Sequence, residues 1–248
     1  LKHDAVLRNP PIVADIGNGA YLLLDGANRV SAFRELGFSH IPVQVVDYGA
    51  SEIELKGWHH LLADSTGLDL HAAFSTLPGM RLEPVPRSEL QRRLEFRQVV
   101  VVWVREDAQC WGLYPEEGKV PIEIHQRIAT LNQVIACYEG QSPLERIKLA
   151  DYDNLPDVVR HRAHQLVLYP TLTKEEMLLC VRDEVMLPTG ITRHLIPGRA
   201  LGINVDLAPL RELETEAEKL AWFQAHVERM EVEGRYRYYE EAVFIMNE

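Results

Sequence analysis

The 248 residues contain no apolar run long enough to span a membrane, and the first residues form no basic-then-apolar leader. A cytoplasmic globular protein is the expectation. Only three cysteines occur, Cys110, Cys137 and Cys180, far apart and without zinc-ligand spacing. They read as buried free thiols in a reducing compartment. Positive charge is scarce too: 26 Lys and Arg against 37 Asp and Glu leave a formal net charge of −11. That balance argues against a protein that grips nucleic acid through a basic face. There is no G-x-G-x-x-G, no Walker loop and no serine elbow, so phosphate chemistry here must do without the common nucleotide-binding loops. Internal repeats and low-complexity tracts are missing as well.

The most informative stretch present is Leu22 to Gly37. An apolar strand stops at Asp25-Gly26 and turns into an amphipathic helix that carries Val30, Phe33 and Leu36 toward a core. Such a turn aims the first N–H groups of the helix at one spot in solvent, which attracts anions and phosphate above all. Asp25 at the strand end suits a metal ion or a proton. Arg29 adds a forked, always-charged group.

Around this stretch the pattern reads strand 11–16, a Gly17-Asn18-Gly19 turn, strand 20–24, helix, and strand 41–46. Residues 47–66 read as a linker or a spanning segment. Helices are expected over 68–77, over 88–94 with a Ser88/Gln91 capping box, and over 121–138. A hairpin is expected from 99–104 and 110–114, and a strand over 164–169. Thr173-Lys174-Glu175-Glu176 is a capping box opening a helix through Val181, while 185–196 reads as irregular. A C-terminal helix through Leu220, Phe223, Val227 and Met230 carries Glu214, Glu216, Glu218 and Glu228 as a solvated face, and 242–246 reads as a closing strand. Strands and helices mix without regular βαβ alternation, which favours an α+β fold.

Two further clusters carry chemistry. Thr192-Arg193-His194, followed by Arg199, offers a hydroxyl, two guanidinium forks and an imidazole, a set suited to phosphate or carboxylate, or equally to an exposed polar loop. Trp58 in Lys56-Gly57-Trp58-His59-His60 suits the wall of a small-molecule pocket, or core packing. His59 and His60 are adjacent, so their rings point to different sides and do not favour a shared metal ion.

Asp25-Gly26-Ala27-Asn28-Arg29 resembles the D-G-x-H-R signature of ParB-like nucleotide-binding domains, and Gly26-x-x-Arg29-x-x-Ala32 fits their G-x-x-R-x-x-A box. Thr173 to Glu176, Pro188 to Gly190 and Thr192 to His194 are similar in order and spacing to one branch, the free L-serine kinases, and Ser142 to Ile147 resembles their siderophore-pathway members. Trp58 falls where the archaeal members line the serine pocket with tryptophan. The resemblance runs from about Pro10 to Leu210.

The resemblance implies a ParB/sulfiredoxin-like nucleotide-binding unit over residues 1–62 and a larger α+β part over 63–248, with loop 188–199 returning to the active-site cleft. It implies phosphorylation of the hydroxyl of free L-serine by ATP or ADP with Mg2+, giving O-phospho-L-serine for siderophore or cysteine biosynthesis. Gly26, Ala27, Asn28 and Arg29 would hold the nucleotide and Asp25 the Mg2+. Trp58, Thr192, Arg193 and His194 would bind the amino acid or its product, and Asp25, Arg29 and His194 would form the catalytic set. The protein would act on small molecules as a monomer or dimer. Two positions depart from the family. Asn28 stands where histidine is usual and cannot exchange a proton near neutral pH. The family's base is a glutamate ahead of the first strand, and the first glutamate here is Glu35; a segment upstream of Leu1 is the expected source. The alternative is a ParB-like nucleotide-binding regulator or DNA-binding protein without kinase activity.

Overall fold

The computed structural model describes residues 5–63, 65, 67–116, 118, 120, 123–149, 152, 155–160 and 164–235. The expected strand 242–246 lies outside them. The chain forms two compact units, the first made of residues 1–54 and 194–248, the second of residues 55–193. This differs from a single division at 62/63, because the C-terminal segment completes the first unit.

In chain order the first unit holds β1 (Val6–Leu7), β2 (Ile12–Asp15), β3 (Tyr21–Asp25), α1 (Ala27–Glu35) and β4 (Gln44–Val46), and β5 (Glu54–Gly57) carries the chain into the second unit. The second unit adds β6 (His59–Leu62), α2 (Leu70–Ser75), β7 (Met80–Pro84), α3 (Leu90–Glu95), β8 (Val101–Val104) and β9 (Cys110–Pro115). It continues with α4 (Ile124–Ala136), β10 (Leu144–Ile147), α5 (Leu155–Arg160), β11 (Gln165–Leu168) and α6 (Lys174–Arg182). The chain leaves through β12 (Thr192–Leu195) and ends in β13 (Val205–Asp206), α7 (Ala208–Glu212) and α8 (Glu216–Val232). None of the described helices is long and apolar enough to cross a membrane.

In the first unit β2 is the middle strand of a three-stranded sheet, antiparallel to β3 and parallel to β4. A middle strand buries both faces, which is why Ile12, Val13 and Ala14 are consecutive and all buried. The parallel pairing requires a crossover, and α1 supplies it. Phe33 of α1 packs with Leu7, Val205, Leu207 and Leu210, flanked by Trp222 and Phe223 of α8. The core of this unit is therefore drawn from both ends of the chain.

The second unit is built on a six-stranded antiparallel sheet in the order β10-β6-β11-β8-β9-β7. All four residues of β8 are buried. Val102 and Val104 join Leu90 and Leu94 of α3 and Leu155 and Val159 of α5 in one cluster. Trp103 points the other way and meets Phe74 of α2 edge-on at 6.1 Å.

The structure corrects two local expectations and decides a third. Residues 47–66 are the spanning segment rather than a linker: the boundary between the units falls at 54/55, and the segment contains β5 and β6, the latter an interior strand of the large sheet. Residues 185–196 contain β12. The Ser88/Gln91 capping box does not form, since Arg87–Glu89 is a 3-10 turn and α3 starts at Leu90 without a side-chain cap. The box at Thr173 does form, with both reciprocal bonds to Glu176.

Candidate active site

Asp25 ends β3, and Gly26 makes the turn into α1 at φ +100°. A Cβ on Gly26 would lie 2.9 Å from Pro11 Cβ, so both the left-handed backbone and the close approach of Pro11 require glycine. The first backbone bond of the helix runs from Val30 N–H to Gly26 O, 3.0 Å, and no side chain caps the helix. The N–H groups of Ala27, Asn28 and Arg29 therefore precede the helical ladder, and Ala27 and Asn28 are exposed. No acidic residue occupies the first turn of α1, so its positive end is left for an external anion.

The arginine positions differ in what they do. Arg29 donates through Nη1 to the carbonyl oxygens of Asn9 at 2.7 Å and Pro10 at 2.8 Å, and through Nη2 to Asp25 Oδ2 at 2.8 Å. It fastens the chain ahead of β2 to the turn at Asp25. Arg199 reaches the same Oδ2 from the loop after β12. That loop is held in place by Gln44, which accepts from Ala200 N–H at 2.8 Å and donates to Gly198 O at 2.9 Å. Asn9 Oδ1 accepts from Gly202 N–H at 2.8 Å. The result is one carboxylate between two guanidinium groups, a local excess of positive charge beside an uncapped helix end. Among the described residues, Asp25 Oδ1 takes no hydrogen bond. His194, also in this unit, has Nε2 3.0 Å from the hydroxyl of buried Tyr48.

In the second unit Trp58 is half-buried and Arg193 lies over its ring, with Cζ 4.9 Å from the centroid. Lys148 Nζ stands 6.0 Å from the same ring. Trp58 N–H donates to Ile191 O at 3.0 Å, which ties the start of β6 to the segment carrying Thr192 and Arg193. A guanidinium stacked on indole keeps its edge donors free for a carboxylate or phosphate.

Among the described residues no three His, Cys, Asp or Glu side chains group as a metal site. His59 and His60 diverge: His59 Nδ1 accepts from Tyr169 N–H at 3.2 Å, while His60 turns to Tyr138 and Gly190. Cys110 and Cys180 are buried free thiols and Cys137 is partly exposed. Sequence reasoning passed over Asn9, Gln44 and Tyr48. They are single polar residues without motif context, and only the fold brings them beside Arg29, Arg199 and His194.

No family model matches the chain. It is 22% identical over 248 residues to the ATP-dependent L-serine kinase SbnI of Staphylococcus aureus, covering 100% of this chain and 87% of that protein. It is 23% identical over 203 residues to the ADP-dependent L-serine kinase SerK of Thermococcus kodakarensis, covering 81% of this chain and 78% of that protein. The structure of C-terminally truncated SbnI superposes with a TM-score of 0.71 at 20% identity, over 92% of this chain and 85% of that one. A free serine kinase in complex with AMP superposes with a TM-score of 0.63 at 19% identity, over 84% and 82%. Along most of its sequence the chain is similar to free L-serine kinases, and it shares the fold of their solved structures.

Proposed function

We propose that the protein transfers a phosphoryl group from ATP or ADP to the hydroxyl of free L-serine, forming O-phospho-L-serine. The observation that carries this reading is the uncapped N-terminus of α1 beside Asp25 and its two arginines. Phosphoryl transfer is mostly positioning and charge stabilisation, and this arrangement supplies both. We take β2, β3, α1 and β4 as the ParB/sulfiredoxin-like nucleotide-binding unit. The N–H groups of Ala27, Asn28 and Arg29 receive the nucleotide phosphates, with no Cβ at Gly26 to obstruct the turn. Arg29 holds Asp25 and the Asn9–Pro10 carbonyls in register, and its charge, with that of Arg199, offsets the phosphates.

Asp25 fits Mg2+, which takes one or two carboxylates and completes its shell with water and phosphate oxygens. Oδ2 is fixed by the arginines and Oδ1 is the oxygen left to the ion. When bound, Mg2+ would neutralise charge on the transferring group. For the amino acid, Arg193 on Trp58 binds the carboxylate, Thr192 adds a hydroxyl, and His194, oriented by Tyr48, contacts substrate or product. Kinases using ATP and a kinase using ADP resemble the chain at similar identity, so the reading includes both donors.

The test is to incubate the full-length protein with L-serine, Mg2+ and either ATP or ADP and to look for O-phosphoserine by mass spectrometry. Product with one donor establishes the activity and selects the nucleotide. Nucleotide binding without product from either donor favours the ParB-like regulator instead.

A further inference from the structure

His60 has no role in the reading above, yet it is among the most constrained side chains in the second unit. It lies on β6 between β10 and β11 and is 1% exposed. Its Nε2 is 3.1 Å from the carbonyl oxygen of Gly190. Its Nδ1 is 2.9 Å from the Tyr138 hydroxyl and 3.1 Å from the Tyr169 hydroxyl, and the two hydroxyls touch each other. A carbonyl oxygen only accepts, so Nε2 carries the hydrogen. In a neutral ring that makes Nδ1 the acceptor, and a tyrosine donates into it. Burial holds the ring's pKa down to about 4, in keeping with a neutral imidazole. Tyr138 follows α4 and Tyr169 follows β11, so three elements fix one tautomer and one ring orientation.

The peptide this ring grips is held from other sides as well. Gly190 has φ +78°, a left-handed conformation that favours glycine, and the Arg146 side chain packs against its open side. Ile191 is buried, and its carbonyl accepts from Trp58 N–H. The next two residues are Thr192 and Arg193, and Arg193 lies on Trp58.

We propose that His60 is a positioning residue for the amino-acid substrate: by donating Nε2–H to the Gly190 carbonyl, it fixes the peptide from which Thr192 and Arg193 project. Tyr138 and Tyr169 serve it by holding the tautomer that donates. This rests on the serine-kinase reading for the identity of the substrate, while the ordering of 190–193 stands independently of it.

The test compares His60→Asn, His60→Gln and Tyr138→Phe in the full-length protein. Asparagine cannot span the distance to Gly190, whereas the glutamine amide places a donor near the position of Nε2. His60→Asn is expected to raise the KM for serine about tenfold, the scale of one hydrogen bond lost at a binding segment, with kcat and the KM for nucleotide little changed. His60→Gln is expected to restore the KM for serine to within about threefold of wild type, roughly half a decade in the same binding term. Tyr138→Phe, which keeps the packing, is expected to move the KM for serine the same way by a smaller factor. Hydrogen exchange of the amides over 190–193 is expected to quicken in His60→Asn and not in His60→Gln. An unchanged KM for serine in a folded His60→Asn protein overturns the proposal, and so does unchanged exchange. If the wild type turns over no serine, the substrate reading fails, and the exchange result alone upholds or overturns His60 as the residue that orders this segment.

Discussion

Arg29 and Arg199 meet the same carboxylate oxygen yet have different work, and substitution separates them. Arg29 is the more enclosed, 27% exposed, and carries two backbone carbonyls besides Asp25. Its removal leaves those acceptors unmet. Arg29→Ala is expected to cost about 2–3 kcal/mol in urea unfolding and to weaken nucleotide binding. Arg199 is 40% exposed and makes one ion pair. Arg199→Ala is expected to cost less than about 1 kcal/mol of stability while still lowering nucleotide affinity in calorimetry. Equal losses of stability in the two variants would contradict this division. Gly26→Ala sets a Cβ against Pro11 at positive φ, and is expected to cost about 1–3 kcal/mol and to misdirect the N–H groups of α1. The match of Asp25 to Arg29 with a known signature was legible in the sequence, because strand end, glycine turn and arginine are contiguous. Arg199 was legible only as a charge in a loop; its approach to Asp25 depends on Gln44 and Asn9, far away in sequence.

Elements show the same contrast between local and distant signals. β2, β3, α1, β8, β9 and α6 were legible because each has its own apolar period, turn or cap. β6 was not, since two of its four residues are histidines and polar composition masked a buried strand. What buries them is partners from other elements. Burial pushes His59 and His60 both down to about 4; the charge of His60 adds to this at His59, while at His60 the bond to the Gly190 carbonyl opposes it and the charge of Arg146 adds to it. The unfolded rings titrate near 6.5. Between those values the unfolded chain binds more protons than the folded one, so the stability is fully present above about pH 6.5 and is lost as pH falls toward 4. The melting temperature is expected to drop across that window, and less steeply in His60→Gln, as scanning calorimetry at stepped pH would show. In α6, Glu176 closes the capping box and also pairs with Arg97 and Arg127 while only 12% exposed. Burial opposes its ionisation, but the Thr173 N–H and the two arginines hold its carboxyl below the ordinary range. Glu176→Gln leaves two enclosed guanidinium groups without their counter-charge and is expected to cost about 3–5 kcal/mol in denaturant unfolding.

At the scale of the molecule, the second unit is one continuous stretch with its own sheet and core, and the first is assembled from two. Residues 55–193 made alone are expected to unfold cooperatively by circular dichroism. Residues 1–54 made alone are expected to stay unfolded, because Leu7 and Phe33 lose Val205, Leu207 and Leu210. A cooperative transition in the short fragment would overturn that expectation. The sequence reading of one division at 62/63 missed this because the returning segment carries no composition break. A discontinuous unit also sets an order of events at the ribosome. The chain emerges from its N-terminus, so β2, β3 and α1 are exposed to the cell long before the residues that cover them have been translated, while the middle stretch emerges whole. A chain cut short before Val205 is expected to keep the six-stranded sheet of the second unit while the first unit lacks the residues that pack on Leu7 and Phe33. On the proposed reading, nucleotide uptake at the Gly26 turn therefore waits until Val205, Leu207 and Leu210 have been made.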